Sequence, residues 1–116
     1  MQAPLRATLL RIFIGEGDRY ESRPMYEAIV LKAREAHLAG ATVLRGPLGF
    51  GHSSRLHAAK LLRLSEDLSF VVEIIDADDK IRAFLPVLDA MMTSSGSSGL
   101  VTLEQVEVLQ YGKRNA

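Results

Sequence analysis

The sequence predicts an α+β protein whose elements follow the order β-α-β-β-α-β, and three observations support this. Two amphipathic segments repeat apolar residues at the helical period, one in each half of the chain. Short runs rich in branched apolar residues precede and follow each helical segment. The length of 116 residues suits one domain with one core. We therefore expect a single domain over residues 1–116, with its core at about 9–110 and a frayed tail at 112–116.

The first half contributes a strand, a helix and a second strand. Residues 9–14 predict the first strand, which Gly15 ends. Ser22 suits a helix N-cap with Pro24 in the first turn, and Gly40 suits a left-handed helix end. Apolar and aromatic residues recur between them at helical spacing: Tyr26, Ile29, Val30, Ala33 and His37. Residues 41–44 predict the second strand.

The second half repeats the pattern. Residues 70–75 are nearly all apolar, so we expect a central strand there. The next helix has one apolar face, formed by Ile81, Phe84, Leu85, Leu88 and Met92. Pro86 falls inside this helix and should kink it or delay its start. Residues 100–103 and 106–108 predict the last strand, with an irregularity near Glu104.

This order of elements predicts a ferredoxin-like fold, with a four-stranded antiparallel sheet and both helices on one face. The other sheet face is then left bare. Because the strands carry apolar residues on both faces, we expect self-association to cover it.

Composition excludes several classes of protein. Without cysteine there are no disulfides, thiolate metal sites or cysteine nucleophiles. The 14 basic and 14 acidic side chains give a net charge of zero, which argues against a general nucleic-acid binder. The longest apolar runs are far short of the ~20 residues that a membrane span needs, and the N-terminal segment is too charged for a signal peptide. We expect a cytoplasmic protein with no membrane span.

Two loops are candidate ligand sites. The connection at about 45–67 is long for a compact domain, and it opens with Arg45 and a glycine-rich stretch containing Gly46, Gly49 and Gly51. Glycines allow a close backbone approach to a ligand, and arginine is the usual partner of phosphate. The serine- and glycine-rich loop at 94–99 either directs backbone N–H groups at an anion or is a flexible linker.

The residues offer less support for a metal site or catalysis. His52 and His57 are five residues apart, which does not place both on one helical face, so a metal site with Glu16 is only an alternative. Glu16, Asp18 and Glu21 either bind a cation or orient a basic group, or they form a solvated, self-paired surface loop. No G-x-S-x-G nucleophile elbow is present. We expect no catalytic residues and a protein that is not an enzyme.

Six segments, in collinear order over about residues 9–110, carry a resemblance to one family. They are LRIFIGE (10–16), RPMYE (23–27), GATVLRG (40–46), GFGH (49–52), LSEDL (64–68) and GLVT (99–102). The chain resembles the PII-like family of uncharacterised prokaryotic proteins known as domain of unknown function 190. This resemblance implies a homotrimer of ferredoxin-like protomers with their sheets packed inward.

The resemblance also implies a function. PII-type proteins use the loop between the second and third strands to contact partner proteins, and the loop before the last strand helps to hold a nucleotide between subunits. We therefore expect a non-enzymatic signalling protein that requires no cofactor and binds a small ligand such as an adenine nucleotide. The candidate ligand-binding residues are Arg45, Gly46, Gly49, Gly51, Gly96, Gly99 and Leu100. The 45–67 loop would contact an unidentified protein target.

The classical nucleotide loop carries basic residues, whereas residues 93–99 have none, so a monophosphate is easier to neutralise here than a triphosphate. Two alternatives remain at this point. One is a divalent-metal-binding trimer similar to cation-tolerance proteins, with His52, His57 and Glu16 as ligands. The other is an RNA-binding module, although Phe13 and Phe70 are isolated aromatics and the chain lacks a basic excess.

Overall fold

The computed structural model describes residues 5–46, 48–50, 56–58, 69–97 and 99–112. Its elements in chain order are β1 (Leu5–Gly15), β2 (Arg19–Tyr20), β3 (Arg23–Pro24), α1 (Met25–Glu35), β4 (Thr42–Gly46), β5 (Leu48–Phe50), β6 (Leu56–Ala58), β7 (Ser69–Asp76), α2 (Asp78–Ser95) and β8 (Leu100–Val108).

The main sheet has four strands in the order β4-β7-β1-β8, and every neighbouring pair is antiparallel. The two longest strands, β1 and β8, pair along their length, and β1 also pairs with β7. This order, with one helix after β1 and one after β7, is the ferredoxin-like arrangement that the sequence predicts.

The core lies between one face of the sheet and the two helices. Successive side chains of β1 and β7 point to opposite faces of the sheet, so every second residue faces the helices. The buried residues on this face are Leu10, Ile12, Ile14, Phe70, Val72 and Ile74. The helices bury Met25, Ala28, Ile29 and Ala33 of α1 and Ile81, Phe84, Leu88 and Met91 of α2. The rings of Tyr26 and Phe70 pack edge to face with their centroids 4.4 Å apart, and this contact joins α1 to the sheet.

Helix α1 begins and ends at residues other than those predicted. Pro24 is the N-cap residue, in an extended conformation, and Ser22 lies in the turn of a short hairpin between β2 and β3. At the other end His37, with a φ of 61°, takes the left-handed position expected for Gly40. The N–H of Leu38 donates to the Ala33 carbonyl at 3.0 Å, so the helix ends before Gly40.

The second half is more regular than predicted. Helix α2 begins at Asp78 and continues through Pro86, so the proline does not delay its start. Strand β8 is continuous, and Glu104 pairs in register with Leu9, which makes the expected irregularity near Glu104 wrong. Pairing with β1 over the whole strand satisfies the backbone groups that an irregularity would leave unpaired.

The connection at 45–67 is not wholly irregular. Strand β4 extends through Gly46, and β5 pairs with β6 in antiparallel register, with Gly49 opposite His57. Residues 47, 51–55 and 59–68 lie outside the described residues, as does 113–116 of the predicted tail.

Neither of the described helices covers the second face of the sheet. Leu9 is buried on this face and Phe13 and Val71 are half-buried, whereas Leu44 is 49% and Leu100 is 56% exposed. At its centre the Arg11 guanidinium donates to the Glu73 carboxylate at 2.9 Å. We call this surface the open face. It is an apolar surface with Arg11 at its centre, paired with Glu73 and, at 3.8 Å, with Glu104.

Candidate functional site

Register brings the two candidate loops to one end of the sheet. Gly46 pairs with Ser69, and Ser69 pairs with Gly15, so these three residues form one row across β4, β7 and β1. Leu100 pairs with Phe13 in the adjoining strand. We call this place the Gly15 end. Arg45, Gly46, Gly96, Gly99 and Leu100 all lie at it, although they come from two halves of the chain.

Arg45 is the cation that β4 places at the Gly15 end. Its side chain is 60% exposed, and its Nη2 lies 3.5 Å from Glu16 Oε1. Such an exposed, loosely made ion pair contributes little to stability. The contact fits both an acidic residue that orients a basic group and a solvated, self-paired surface loop, so it does not decide between these interpretations of Glu16.

Gly96 ends helix α2. It adopts the left-handed conformation with a φ of 69°, and its N–H and that of Ser97 turn back to the helix carbonyls. The Ser97 N–H reaches the Met92 carbonyl at 3.1 Å, and the Gly96 N–H reaches Thr93 at 3.3 Å. This is a Schellman-type helix end, which uses glycine because a Cβ would be strained there. Two backbone donors of the serine-rich loop therefore serve the helix cap.

Gly99 lies directly against β1. A Cβ built on it would meet Met92 Cε at 2.9 Å and Ile14 Cγ2 at 3.1 Å, and would overlap the Phe13 carbonyl oxygen. The backbone of the loop can approach β1 only because residue 99 has no side chain. A substitution at Gly99 would therefore disturb the fold, and cannot serve as a selective test of ligand binding.

Asp18 connects the end of β1 to the serine-rich loop. Its Oδ2 accepts hydrogen bonds from the Gly15 N–H at 3.1 Å and from the Ser97 hydroxyl at 2.9 Å. Its backbone carbonyl accepts from the N–H of Met25, the first residue of α1, at 2.8 Å. The sequence placed Asp18 in an acidic cluster but did not single it out. The signal available was the turn sequence Gly-Glu-Gly-Asp directly after a strand.

The other predicted site residues are less fully defined. Gly51 and His52 lie outside the described residues, and Gly49 and His57 are placed only through the backbone pairing of β5 with β6. Among the side chains that the structure describes, no group of three or more histidine or acidic residues could hold a metal ion. No helix in the described ranges is long and apolar enough to cross a membrane.

Comparison with known proteins establishes the family. Residues 7–108 match the DUF190 family, described as "Uncharacterized ACR", and the chain belongs to this family. It is 39% identical to a UPF0166 protein of Aquifex aeolicus over 90% of this chain and 95% of the relative. A UPF0166 protein of Methanocaldococcus jannaschii is 30% identical over 79% of this chain and 84% of the relative.

Solved structures share the fold at low sequence identity. A putative PII-like signalling protein from Thermus thermophilus superposes with a TM-score of 0.68 at 15% identity, covering 92% of this chain and 93% of the other. The nitrogen regulatory PII-like protein CPII from Thiomonas intermedia, solved with ADP, AMP and bicarbonate, has a TM-score of 0.62 at 15% identity, covering 93% and 92%. The predicted membership of the DUF190 family is confirmed by the family match, and the solved PII-like structures confirm the predicted fold.

Proposed function

We propose that this protein is a PII-like regulatory protein that binds an adenine nucleotide, or a similar small ligand, at the Gly15 end and does not convert it chemically. The observation that carries the proposal is the meeting of two loops, from β4 and from the α2–β8 connection, at one end of the sheet. A structural neighbour is described as bound to ADP and AMP, which supports this class of ligand.

The charge at the Gly15 end favours a ligand with few negative charges. Arg45 brings one guanidinium, and Glu16 already neutralises part of it at 3.5 Å. The loop at 93–99 adds no basic side chain. One arginine can hold one phosphate well through paired hydrogen bonds, but it cannot balance a triphosphate. A monophosphate therefore fits this end of the protomer better, unless a neighbouring subunit adds further cations.

Assembly is part of the proposal. The open face carries Leu44 and Ile75 exposed to 49% and 42%, and apolar surface of this kind marks an interface. We infer a homotrimer in which the open faces pack together, with the ligand held between neighbouring Gly15 ends. The ligand would bias the conformation of the 45–67 loop, which would then contact a partner protein.

Titration calorimetry with AMP, ADP and ATP tests the ligand. We expect the wild-type protein to bind at least one of them, and Arg45→Ala to weaken binding by roughly tenfold or more, the value of a charged hydrogen bond to phosphate. Arg34→Ala is the matched control, because Arg34 is an exposed arginine in the last turn of α1. Absence of heat with all three nucleotides, or equal affinities for Arg45→Ala and Arg34→Ala, would contradict the proposal.

Light scattering coupled to size exclusion tests the assembly. We expect a mass of three protomers of 12.7 kDa for the wild type. Leu44→Glu places a charge on the open face and should dissociate the trimer, whereas Leu31→Glu, an exposed leucine of α1 at 40%, should not. A wild-type monomer, or a Leu44→Glu protein that remains trimeric, would remove this part of the proposal.

A further inference from the structure

Two hydrogen-bond donors at the Gly15 end point at a single oxygen of the protein itself. The Gly15 N–H and the Ser97 hydroxyl both donate to Asp18 Oδ2, at 3.1 and 2.9 Å. The carboxylate also packs over the Cα of Gly15, where a Cβ would lie 3.5 Å from Oδ1. The side chain of Asp18 is thus held from two sides, one of which is the loop that follows α2.

The Gly15 N–H and the Ser97 hydroxyl are donors of the kind that bind phosphate groups in other proteins. Backbone N–H groups of glycines and serine hydroxyls in small-residue loops are common anion partners. At the Gly15 end they already bind a carboxylate. An incoming anion must therefore either displace Asp18 or lie close to its negative charge, and like charges at short distance repel strongly away from bulk water.

The described surroundings do not offset this charge with a cation. The carboxylate is bound by Ser97, just beyond the C-terminal end of α2, where the helix dipole is negative and the last turn carries no basic residue. The first N–H of α1 is taken by the backbone carbonyl of Asp18 and not by its carboxylate. The arginines nearest in sequence are engaged elsewhere: Arg19 donates to the Ser22 carbonyl, and Arg23 pairs with Glu27. Arg45 pairs with Glu16.

We propose that Asp18 is a charge-selecting latch: its carboxylate holds the Ser97 loop closed and disfavours ligands with several negative charges at the Gly15 end. The inference deepens the proposed function and rests on it for the identity of the ligand. Asp18 is here a positioning and selectivity residue. The ligand class that it favours is a nucleoside or nucleotide with a single phosphate group.

Asp18→Asn tests the selectivity, because the amide keeps the shape and can still accept both hydrogen bonds while the charge is lost. We expect its affinity for ATP to rise at least tenfold relative to the wild type, that for AMP to rise less, and that for adenosine to stay the same. Glu21→Gln is the matched control, since it removes one negative charge from the same segment, at a position with no described contact to Ser97. Equal gains for ATP and adenosine, or the same ATP gain in Glu21→Gln, would overturn the inference.

Ser97→Ala tests the hydrogen bond between Ser97 and Asp18 separately from the negative charge of Asp18. This variant loses the hydroxyl but keeps the Asp18 carboxylate, so the preference for AMP over ATP should persist while the loop is released. Hydrogen exchange without any nucleotide measures the release: peptides spanning residues 93–103 should exchange several-fold faster in Ser97→Ala and Asp18→Ala than in the wild type or Glu21→Gln. Unchanged exchange in both variants would refute the latch.

The two readouts also separate this inference from the proposed function. If none of the proteins binds any adenine ligand, the proposed function fails and the selectivity half of the inference fails with it. The latch half is then decided by hydrogen exchange alone. If nucleotides bind and the ATP-to-AMP ratio is the same in Asp18→Asn and the wild type, the function stands and the selectivity is wrong.

Discussion

The two ends of the sheet are joined to the chain around helix α2 by the same kind of contact, a hydroxyl that donates to a carboxylate. At the Gly15 end, Ser97 donates to Asp18 at 2.9 Å. At the opposite end, which we call the Thr8 end, Thr8 of β1 donates to Asp78 at 2.7 Å. Asp78 lies in the first turn of α2, whereas Asp18 is bound by Ser97, which follows the last turn. The dipole of α2 therefore favours the negative charge of Asp78 and disfavours that of Asp18.

The environments of the two contacts differ in three ways. Thr8 is buried at 3% exposure, whereas Ser97 is half-buried. Asp78 stands in the first turn of α2, where negative charge is favoured, and Arg82 donates to it at 2.9 Å. The hydrogen bonds from Thr8 and Arg82 hold the pKa of Asp78 below its ordinary value. The Asp18 carboxylate accepts from the Gly15 N–H and the Ser97 hydroxyl and from no arginine in the described structure, and it is the backbone carbonyl of Asp18 that meets the first N–H of α1.

The Thr8 end is also held by other parts of the chain. The Asp76 carboxylate accepts from the N–H of Ala39 at 2.9 Å and from that of Ala77 at 2.7 Å. The Tyr111 hydroxyl donates to the Ala39 carbonyl at 2.6 Å, which ties the segment after β8 to the approach to β4. Hydrogen bonds from the segments before β4 and after β8 thus converge on the Thr8 end. The contact at the Gly15 end has no arginine donor comparable to Arg82, which is consistent with the latch proposed there.

The largest expected effect is at Gly99. Gly99→Ala places a methyl group against the Phe13 carbonyl and the Met92 and Ile14 side chains, so the loop must move off β1. We expect a loss of about 2–3 kcal/mol in the free energy of unfolding, typical of overpacking. Urea denaturation measures it, with Gly40→Ala as the control, since nothing described lies within 4 Å of a Cβ there. Equal midpoints for the two variants would contradict the close approach.

The next effect is the pH dependence of the Thr8 end. The folded-state pKa of Asp78 is lowered, so its ionised form stabilises the protein at pH values above the ordinary pKa of 3.8. That contribution is lost as the pH falls through the lowered pKa. We expect Asp78→Asn to be less stable than the wild type at neutral pH, and the difference to shrink below about pH 4. Thermal melts from pH 7 to pH 3 provide the measurement. A difference in stability that stays constant with pH would contradict the stabilising role of the ionised Asp78 carboxylate.

The smallest effect is at His37. A non-glycine residue at a φ of 61° is strained, because its Cβ crowds the backbone in the left-handed region. His37→Gly relieves that strain, at the cost of a more flexible unfolded chain, and should raise stability by about 0.5 kcal/mol. Glu35→Gly, inside α1, should instead lower stability by a similar amount. A loss of stability in His37→Gly would show that the imidazole makes a contribution of its own.

The elements of the fold were predictable because their signals are local. The alternation of Leu10, Ile12 and Ile14 predicts a strand with one buried face, and the helical face of Ile81, Phe84 and Leu88 is buried as predicted. Apart from the irregularity expected near Glu104, the errors fall at helix ends. Ser22 and Gly40 suit caps by residue type, yet Pro24 and His37 occupy those positions because the hairpin of β2 and β3 and the packing of Leu38 set where the helix starts and stops.

The candidate site was partly predictable. Arg45 and Gly99 stand out by residue type, and the Gly15 end brings their loops together as the order of elements requires. Asp18 could not be distinguished from Glu16 or Glu21 in the sequence, because its role depends on Ser97, 79 residues further along the chain. No local pattern records a hydrogen bond between residues so far apart.

The sequence by itself determined the family, the order of the main strands and helices, and most of the core, because the hydrophobic periods of 3.6 and 2 belong to short segments. It did not determine every core position, since Met91 is buried where Met92 was expected and His37 is exposed. Tertiary structure alone decided which loops meet and what each polar group binds there. It assigned the two donors at the Gly15 end to Asp18, and it placed Gly99 where only a bare backbone fits against β1. Both facts depend on strand register, which brings distant residues into contact only when the whole sheet is assembled.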